Sequence, residues 1–245
     1  MGALHYPELP TTWRGDLVHR RTLDGPVAVV GDIHGESELL RELLQVVGER
    51  HLVVAGDLCD RGPDTAGVID LLVDREAIGV VGNHDLWLMA WAAGEGFDRF
   101  ALSPAMGGHT TLQSYGVHPD DVDVRCPVPA AHRDWLLGLH LTLELTVGQQ
   151  TWWVIHGGIP QDLPKELAAT SEVPWLAENR PAELLWRANE PEWMPAVDHP
   201  LVTGHRRRRE PLDTGTTIAI DTAAGMPGGR LTALLLPERR FLTVG

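Results

Sequence analysis

A chain of 245 residues is long enough for one large domain with a sizeable core. Its formal net charge of -14 argues against a nucleic-acid backbone as the main partner, but not against an anionic ligand, because bound cations can make one site locally positive. Hydrophobic residues at 43% and charged residues at 22% suit a globular protein, and no run is long and apolar enough to span a bilayer. Met1 to Arg14 has no apolar signal core, so the expected compartment is the cytoplasm. Cys59 and Cys126 are read as reduced thiols.

In chain order, Val27 to Val30 is a short β-branched run ending at Gly31 and reads as a buried strand. Leu39, Leu40, Leu43, Leu44 and Val47 then recur at helical spacing. Leu52 to Ala55 is a second apolar run, ending at Gly56, and Val68, Ile69, Leu71 and Leu72 form the next helical stripe. Ile78 to Val81 is a third run, ending at Gly82, and a helix through Leu86, Trp87, Met89 and Ala90 follows. Strand, loop and helix repeated three times predict an α/β architecture with strands buried on both faces, whose ligands bind beyond the carboxyl ends of the strands.

Gly94 to Val128 is rich in Gly, Pro and polar residues and carries no assignment. Together with Pro160 to Asn179 it is expected to shape a substrate cleft. Arg133 to Leu139 reads as a short helix, and Leu141 to Val147 with Gln150 to Ile155 as a hairpin around Gly148. Ala182 to Trp186 is a helical turn after Pro181. Thr216 to Ile220 and Leu231 to Leu236 read as paired strands joined by the loop Gly225 to Gly229. With no repeat and no composition break, one domain is expected over 1-245, its core about 26-237.

Five strand ends carry polar clusters. Gly31-Asp32-Ile33-His34-Gly35 follows a strand, so the alternation of side chains points the Asp32 carboxylate and the His34 imidazole to the same side. That donor pair suits zinc, manganese or iron; the bland reading is an Asp that caps the next helix. In Gly56-Asp57-Leu58-Cys59-Asp60-Arg61-Gly62, the two oxygens of Asp57 could bridge two cations, whereas the bland reading is a turn with a surface salt bridge. Gly82-Asn83-His84-Asp85 offers the Asn83 amide oxygen as a ligand and His84 as a general acid, set against a turn bonded to its own backbone. His156-Gly157-Gly158 and Gly204-His205 each put a histidine just past an apolar run. Either alone is more often structural, but five independent coincidences are not expected.

These clusters, in this order, resemble the phosphoprotein-phosphatase branch of the calcineurin-like metallophosphoesterases, whose pattern is GD-x-HG, GD-x-x-DRG, GNH-D/E, HGG or HAG, then a late GH. The segments Ile220-Asp221-Thr222, Gly229 to Thr232 and Gly107 to Gly116 also look like the bacterial members. The resemblance covers Val27 to Leu236. It implies a two-sheet β-sandwich flanked by helices, with two divalent ions at the sandwich edge, manganese foremost and iron or zinc compatible. Asp32, His34 and Asp57 would hold the first ion, and Asp57, Asn83, His156 and His205 the second. His84 would protonate the leaving oxygen, with Asp60 hydrogen-bonded to it. Arg61 would clamp the phosphoryl oxygens, with Asn83 and Arg187 as further candidates for substrate contact. Bacterial relatives often carry Trp-x-Arg after a Leu-Leu pair; here Arg187 stands one place early. The late GH runs into Arg206 to Arg209, read as a surface loop, and Trp87, Trp91, Trp152 and Trp153 are read as core.

The resulting reading is a metal-dependent phosphatase acting on a phosphorylated protein or a small phosphoester by in-line attack of a metal-bridging water. The foremost expectation is a phosphoserine or phosphothreonine protein phosphatase, because Asp60 follows that pattern where many dinucleoside tetraphosphate hydrolases have Ala. Symmetrical hydrolysis of a dinucleoside tetraphosphate is the second reading, and a non-catalytic metal-binding scaffold the third.

Overall fold

The computed structural model describes residues 8–124, 126–164, 167 and 172–245. Residues 1–7 of the N-terminal stretch, and 165, 166 and 168–171 of the expected cleft segment Pro160 to Asn179, lie outside the described residues. Among the described residues eleven strands form two sheets: β1 His19–Leu23, β2 Val27–Val30, β3 His51–Val54, β4 Ile78–Gly79, β5 Leu143–Val147, β6 Gln150–Ile155, β7 Leu201–Thr203, β8 Leu212–Asp213, β9 Thr217–Ala219, β10 Leu231–Leu236 and β11 Arg240–Val244. One sheet runs β1-β5-β6-β7-β9-β8 and the other β11-β10-β2-β3-β4. Helices α1 Ser37–Val47, α2 Thr65–Asp74, α3 Asp85–Ala92, α4 His109–Ser114, α5 Ala130–Leu136, α6 Glu172–Asn179 and α7 Pro181–Trp186 flank them. Among the described residues no helix is long and apolar enough to cross a membrane.

Period-two alternation builds the sandwich from both sides of each strand. Val27 and Val29 of β2, Val53 of β3, Leu143 and Leu145 of β5, Trp152 and Val154 of β6, and Leu234 and Leu236 of β10 meet in the layer between the sheets. Their neighbours Ala28, Val30, Leu52, Val54, Trp153 and Ile155 face outward into the helical layers, beside Leu40 and Leu43 of α1 and Val68, Ile69 and Leu72 of α2. The α2 stripe is closed at its start by Asp64, whose carboxylate accepts from Gly67 N at 2.9 Å. Trp87, Trp91, Trp152 and Trp153 are all buried, in agreement with their reading as core.

Two sequence readings need correction. Thr216 to Ile220 and Leu231 to Leu236 do not pair, because β9 lies between β7 and β8 while β10 lies between β11 and β2 in the other sheet. Ile218 and Ile220 instead share the intersheet core with Leu234 and Leu236. Two apolar strands give the same pattern whether they pair edge to edge or pack face to face. The strand alternation also does not extend to Asp32 and His34, because β2 ends at Val30 and His34 has a left-handed φ of 47°. Ile33 N and His34 N both donate to Asp57 O at 2.9 Å, so the two loops are laced to each other. The strands β1, β8 and β11 escaped the sequence reading; β1, His-Arg-Arg-Thr-Leu, is a largely exposed edge strand without an apolar run.

The parallel strands β2, β3 and β4 of one sheet, and β6, β7 and β9 of the other, present their carboxyl ends at a common edge. That shared edge positions the site.

Candidate metal centre

Asp57 is the hub. Its Oδ2 lies 3.6 Å from His34 Nε2 and 4.0 Å from His84 Nε2, and its Oδ1 lies 3.3 Å from His156 Nε2. Two donor groups share it: His34, Asp57 and His84, and Asp57, His156 and His205, the ligand atoms of each group lying within 4.8 Å of one another. Asp32 reaches the second group through its carboxylate, which accepts the His205 N–H at 3.1 and 3.0 Å. Asn83 Oδ1 lies 3.0 Å from His156 Nε2. The structure thus brings together Asp32, His34, Asp57, Asn83, His84, His156 and His205.

The backbone there is constrained. His34, Asp57, Asp60, Arg61, His205 and Ala223 all take positive φ, from 47° to 73°, a conformation uncommon outside glycine that clusters at functional sites. Glycine is required where loops touch: a Cβ on Gly204 would lie 2.1 Å from Asp32 Oδ1, and one on Gly82 2.0 Å from Asp57 N.

Imidazole orientation follows from outer partners. His34 Nδ1 donates to Cys59 O and His156 Nδ1 to Ala55 O, each at 2.8 Å, which turns the Nε2 atoms toward Asp57. Burial holds His34 well below its usual range and His205 down at about 4, so both are neutral, the form in which imidazole ligates. Burial opposes a charge on His156, yet the Asp57 and Asp32 carboxylates outweigh it and raise that group to about 10. Burial and the neighbouring Asp221 push the Asp32 carboxyl well up. Asp221 is itself raised by burial, and its Oδ2 is buried without a partner. Buried acids massed against buried imidazoles, one carboxylate oxygen unpaired, fit a divalent cation.

Around this hub, His84 Nδ1 donates to Asp60 Oδ2 at 2.7 Å. Arg61 donates to His84 Nε2 at 2.8 Å and also to His34 Nε2. Asp60 is fully buried and held by groups that sequence reasoning missed. Trp87 Nε1 donates to its Oδ2 at 3.1 Å, and the Thr111 hydroxyl donates to its Oδ1 at 3.1 Å while accepting the Asp60 N–H at 2.8 Å. The Gly107 to Gly116 segment was the signal that could have found Thr111. Asp85 was also missed as a positioning group: it accepts from Gly82 N, Asp57 N and Leu58 N at 2.8 to 3.0 Å, tying two site loops together. Burial and the charge on Asp57 outweigh those bonds and raise Asp85 to about 6.

Above lies a cleft of roughly 730 Å³ lined by Asp57, Arg61, Asn83, His84, Phe100, Met106, Trp186, His205, Arg207 and others. Arg187 is not among its walls. It pairs with Glu183 and lines an adjoining cavity of roughly 540 Å³, while Trp186 faces the cleft. The Arg206 to Arg209 segment is not merely a surface loop, since Arg206 and Arg207 reach the cleft. Cys59 and Cys126 are both free thiols.

The fold and this donor arrangement define a metallophosphoesterase. The chain belongs to the calcineurin-like phosphoesterase family, whose profile matches residues 25–216, and is a phosphoric ester hydrolase. It is 26% identical over 239 residues to the asymmetrical bis(5'-nucleosyl)-tetraphosphatase of Oceanobacillus iheyensis, covering 89% of this chain and 91% of that one. It is 30% identical over 159 residues to the symmetrical bis(5'-nucleosyl)-tetraphosphatase of an Acidovorax species, covering 62% of this chain and 51% of that one. A solved candidate diadenosine tetraphosphatase superposes with a TM-score of 0.62 at 24% identity, over 92% of this chain and 97% of that one.

Proposed function

We propose that the chain is a two-metal hydrolase of dinucleoside polyphosphates, cleaving a phosphoric anhydride at the Asp57-centred floor of the cleft. The observation that carries this reading is one buried carboxylate shared by two histidine-bearing donor groups. Asp32, His34 and Asp57 would hold one divalent ion and Asp57, Asn83, His156 and His205 the other, with manganese the first choice for mixed oxygen and nitrogen donors. Such cations supply a water of lowered pKa and offset charge on the phosphoryl group. Arg61 binds phosphoryl oxygens with its planar fork. When Arg61 engages them it releases His84 Nε2, which takes up a proton from solvent; the imidazolium, held through Nδ1 by Asp60, then passes that proton to the leaving oxygen.

The dinucleotide substrate rests on the relative matched over nine-tenths of its length. A phosphoserine or phosphothreonine substrate is the second reading, favoured by the Asp60–His84 contact at 2.7 Å. Metal-stripped protein should hydrolyse diadenosine tetraphosphate and p-nitrophenyl phosphate once manganese is restored. AMP with ATP as products would mark asymmetrical cleavage, and ADP alone symmetrical cleavage. Turnover of phosphopeptides with none of the dinucleotide would replace this reading with the phosphatase one.

A further inference from the structure

The run Arg206 to Arg209 follows the site residue His205 and has no part in the chemistry above. Two of its members are committed. Arg206 and Arg208 both donate to the Glu190 carboxylate, and Arg208 also lies 3.5 Å from Glu192. Arg208 N donates to Asp221 O at 3.0 Å, which fastens the segment to the sandwich edge. Arg207 differs. It is exposed, it lines the cleft with Arg61, and among the described residues no carboxylate stands within ion-pair distance of it.

Among the described residues the cleft lining contains one carboxylate, Asp57, and that group faces the floor histidines. A chain with a formal net charge of -14 therefore presents a cationic mouth over its hydrolytic floor. Three guanidinium groups line the cleft, and Arg206 is already paired with Glu190; the other two, Arg61 and Arg207, repel each other unless anions engage both. A single phosphoryl group on the floor is the partner of Arg61. Arg207, out at the rim, suits a second phosphate of the same molecule, for which a guanidinium makes stronger, charge-assisted hydrogen bonds than a neutral donor.

We propose that Arg207 forms a second phosphate subsite, which selects substrates whose condensed phosphate chain runs outward from the scissile phosphoryl group. This rests on the reading of the floor as the hydrolytic site. The recognised chemistry is the phosphate chain, whether free as tripolyphosphate or carried between nucleosides.

The test pairs binding with turnover in wild type, Arg207→Gln, Arg207→Lys and Arg209→Gln. Calorimetry would measure binding of methylene-bridged, non-hydrolysable analogues of tripolyphosphate and of diadenosine tetraphosphate to manganese-loaded protein. Arg207→Gln should weaken both about tenfold, as expected for loss of one charge-assisted contact, with Arg207→Lys intermediate and Arg209→Gln unchanged. Weakening of the dinucleotide analogue alone would still support the subsite and assign the chain to a nucleotide. The ratio of kcat/KM for diadenosine tetraphosphate to that for p-nitrophenyl phosphate should fall about tenfold in Arg207→Gln. Equal losses on both substrates, or unaltered analogue binding, would overturn the subsite. Arg207-dependent binding without any hydrolysis would instead sink the hydrolase reading and leave the subsite standing. Hydrolysis of p-nitrophenyl phosphate with analogue binding indifferent to Arg207 would do the reverse.

Discussion

At the floor of the cleft, four candidate ligands have a hydrogen-bond partner on a neighbouring loop: His34 on Cys59 O, His156 on Ala55 O, Asp32 on His205 N and Asp57 on His84 N. At the rim, Phe100 and Arg207 are exposed, and beside one backbone bond, Arg208 N to Asp221 O, the arginine side chains are held by surface ion pairs to Glu190 and Glu192. Pairs of that kind are individually weak and screened by salt, whereas buried hydrogen bonds to charged groups are costly to break. The contrast separates preorganised chemistry from adjustable recognition. A fixed donor set suits a reaction that tolerates little displacement, and a loosely held basic rim suits anions of several lengths.

The severest way to break the contrast is to remove the hub. Asp57→Asn keeps an acceptor for the His84 N–H and nearly the same volume, but removes the charge that both donor groups share. Expected are loss of both metals by elemental analysis and a fall in kcat/KM of about 10⁴-fold, because a water of lowered pKa is no longer supplied. A variant that retained two metals would show that Asp57 is not the bridge.

His84→Asn comes next and separates proton transfer from ligation. Metal content should hold near wild type while kcat falls about 10²- to 10³-fold. The loss should be larger for a substrate with a poor leaving group than for p-nitrophenyl phosphate, whose phenolate leaves with little help. Metal loss in this variant would make His84 a ligand.

The same contrast explains what could be read from the chain alone. The clustering of the floor residues was legible because the candidate ligands sit in short contiguous motifs beside glycines, each just past an apolar run. The three strand–loop–helix repeats were legible from periodicity. Sheet membership of β9 and β10 was not, since Ile218 and Leu234 show the same alternation whether paired or facing. The commitment of Arg206 and Arg208 to Glu190 was also hidden, because the partners lie 16 and 18 positions away with no periodic signal between them. Thr111 stands 51 positions from Asp60, and no local pattern announces that bond.

Thr111→Val measures how far the floor depends on that distant hydroxyl. The change keeps shape but leaves both the Asp60 N–H and one side of its carboxylate without a partner. A stability loss of about 1–3 kcal/mol is expected from unfolding in urea. With His84 less well steadied, kcat should fall about tenfold while KM stays near wild type. An unchanged kcat with lowered stability would confine Thr111 to folding.

The smallest expected effect comes from the rim. Glu190→Gln removes the shared partner of Arg206 and Arg208, with two opposed consequences. One negative charge fewer near the mouth strengthens attraction of an anionic substrate, but that gain is screened as salt rises. Release of the two arginines also loosens the segment that carries Arg207, and that loss persists at high salt. At low ionic strength the two should nearly cancel in KM for diadenosine tetraphosphate. At about 0.5 M salt, where the Debye length is only a few ångströms, KM should rise about twofold over wild type under the same conditions. An equal KM for both proteins at high salt would mean that Glu190 tunes charge alone. The rim would then need no anchoring, and its difference from the floor would be wider than the ion pairs suggest.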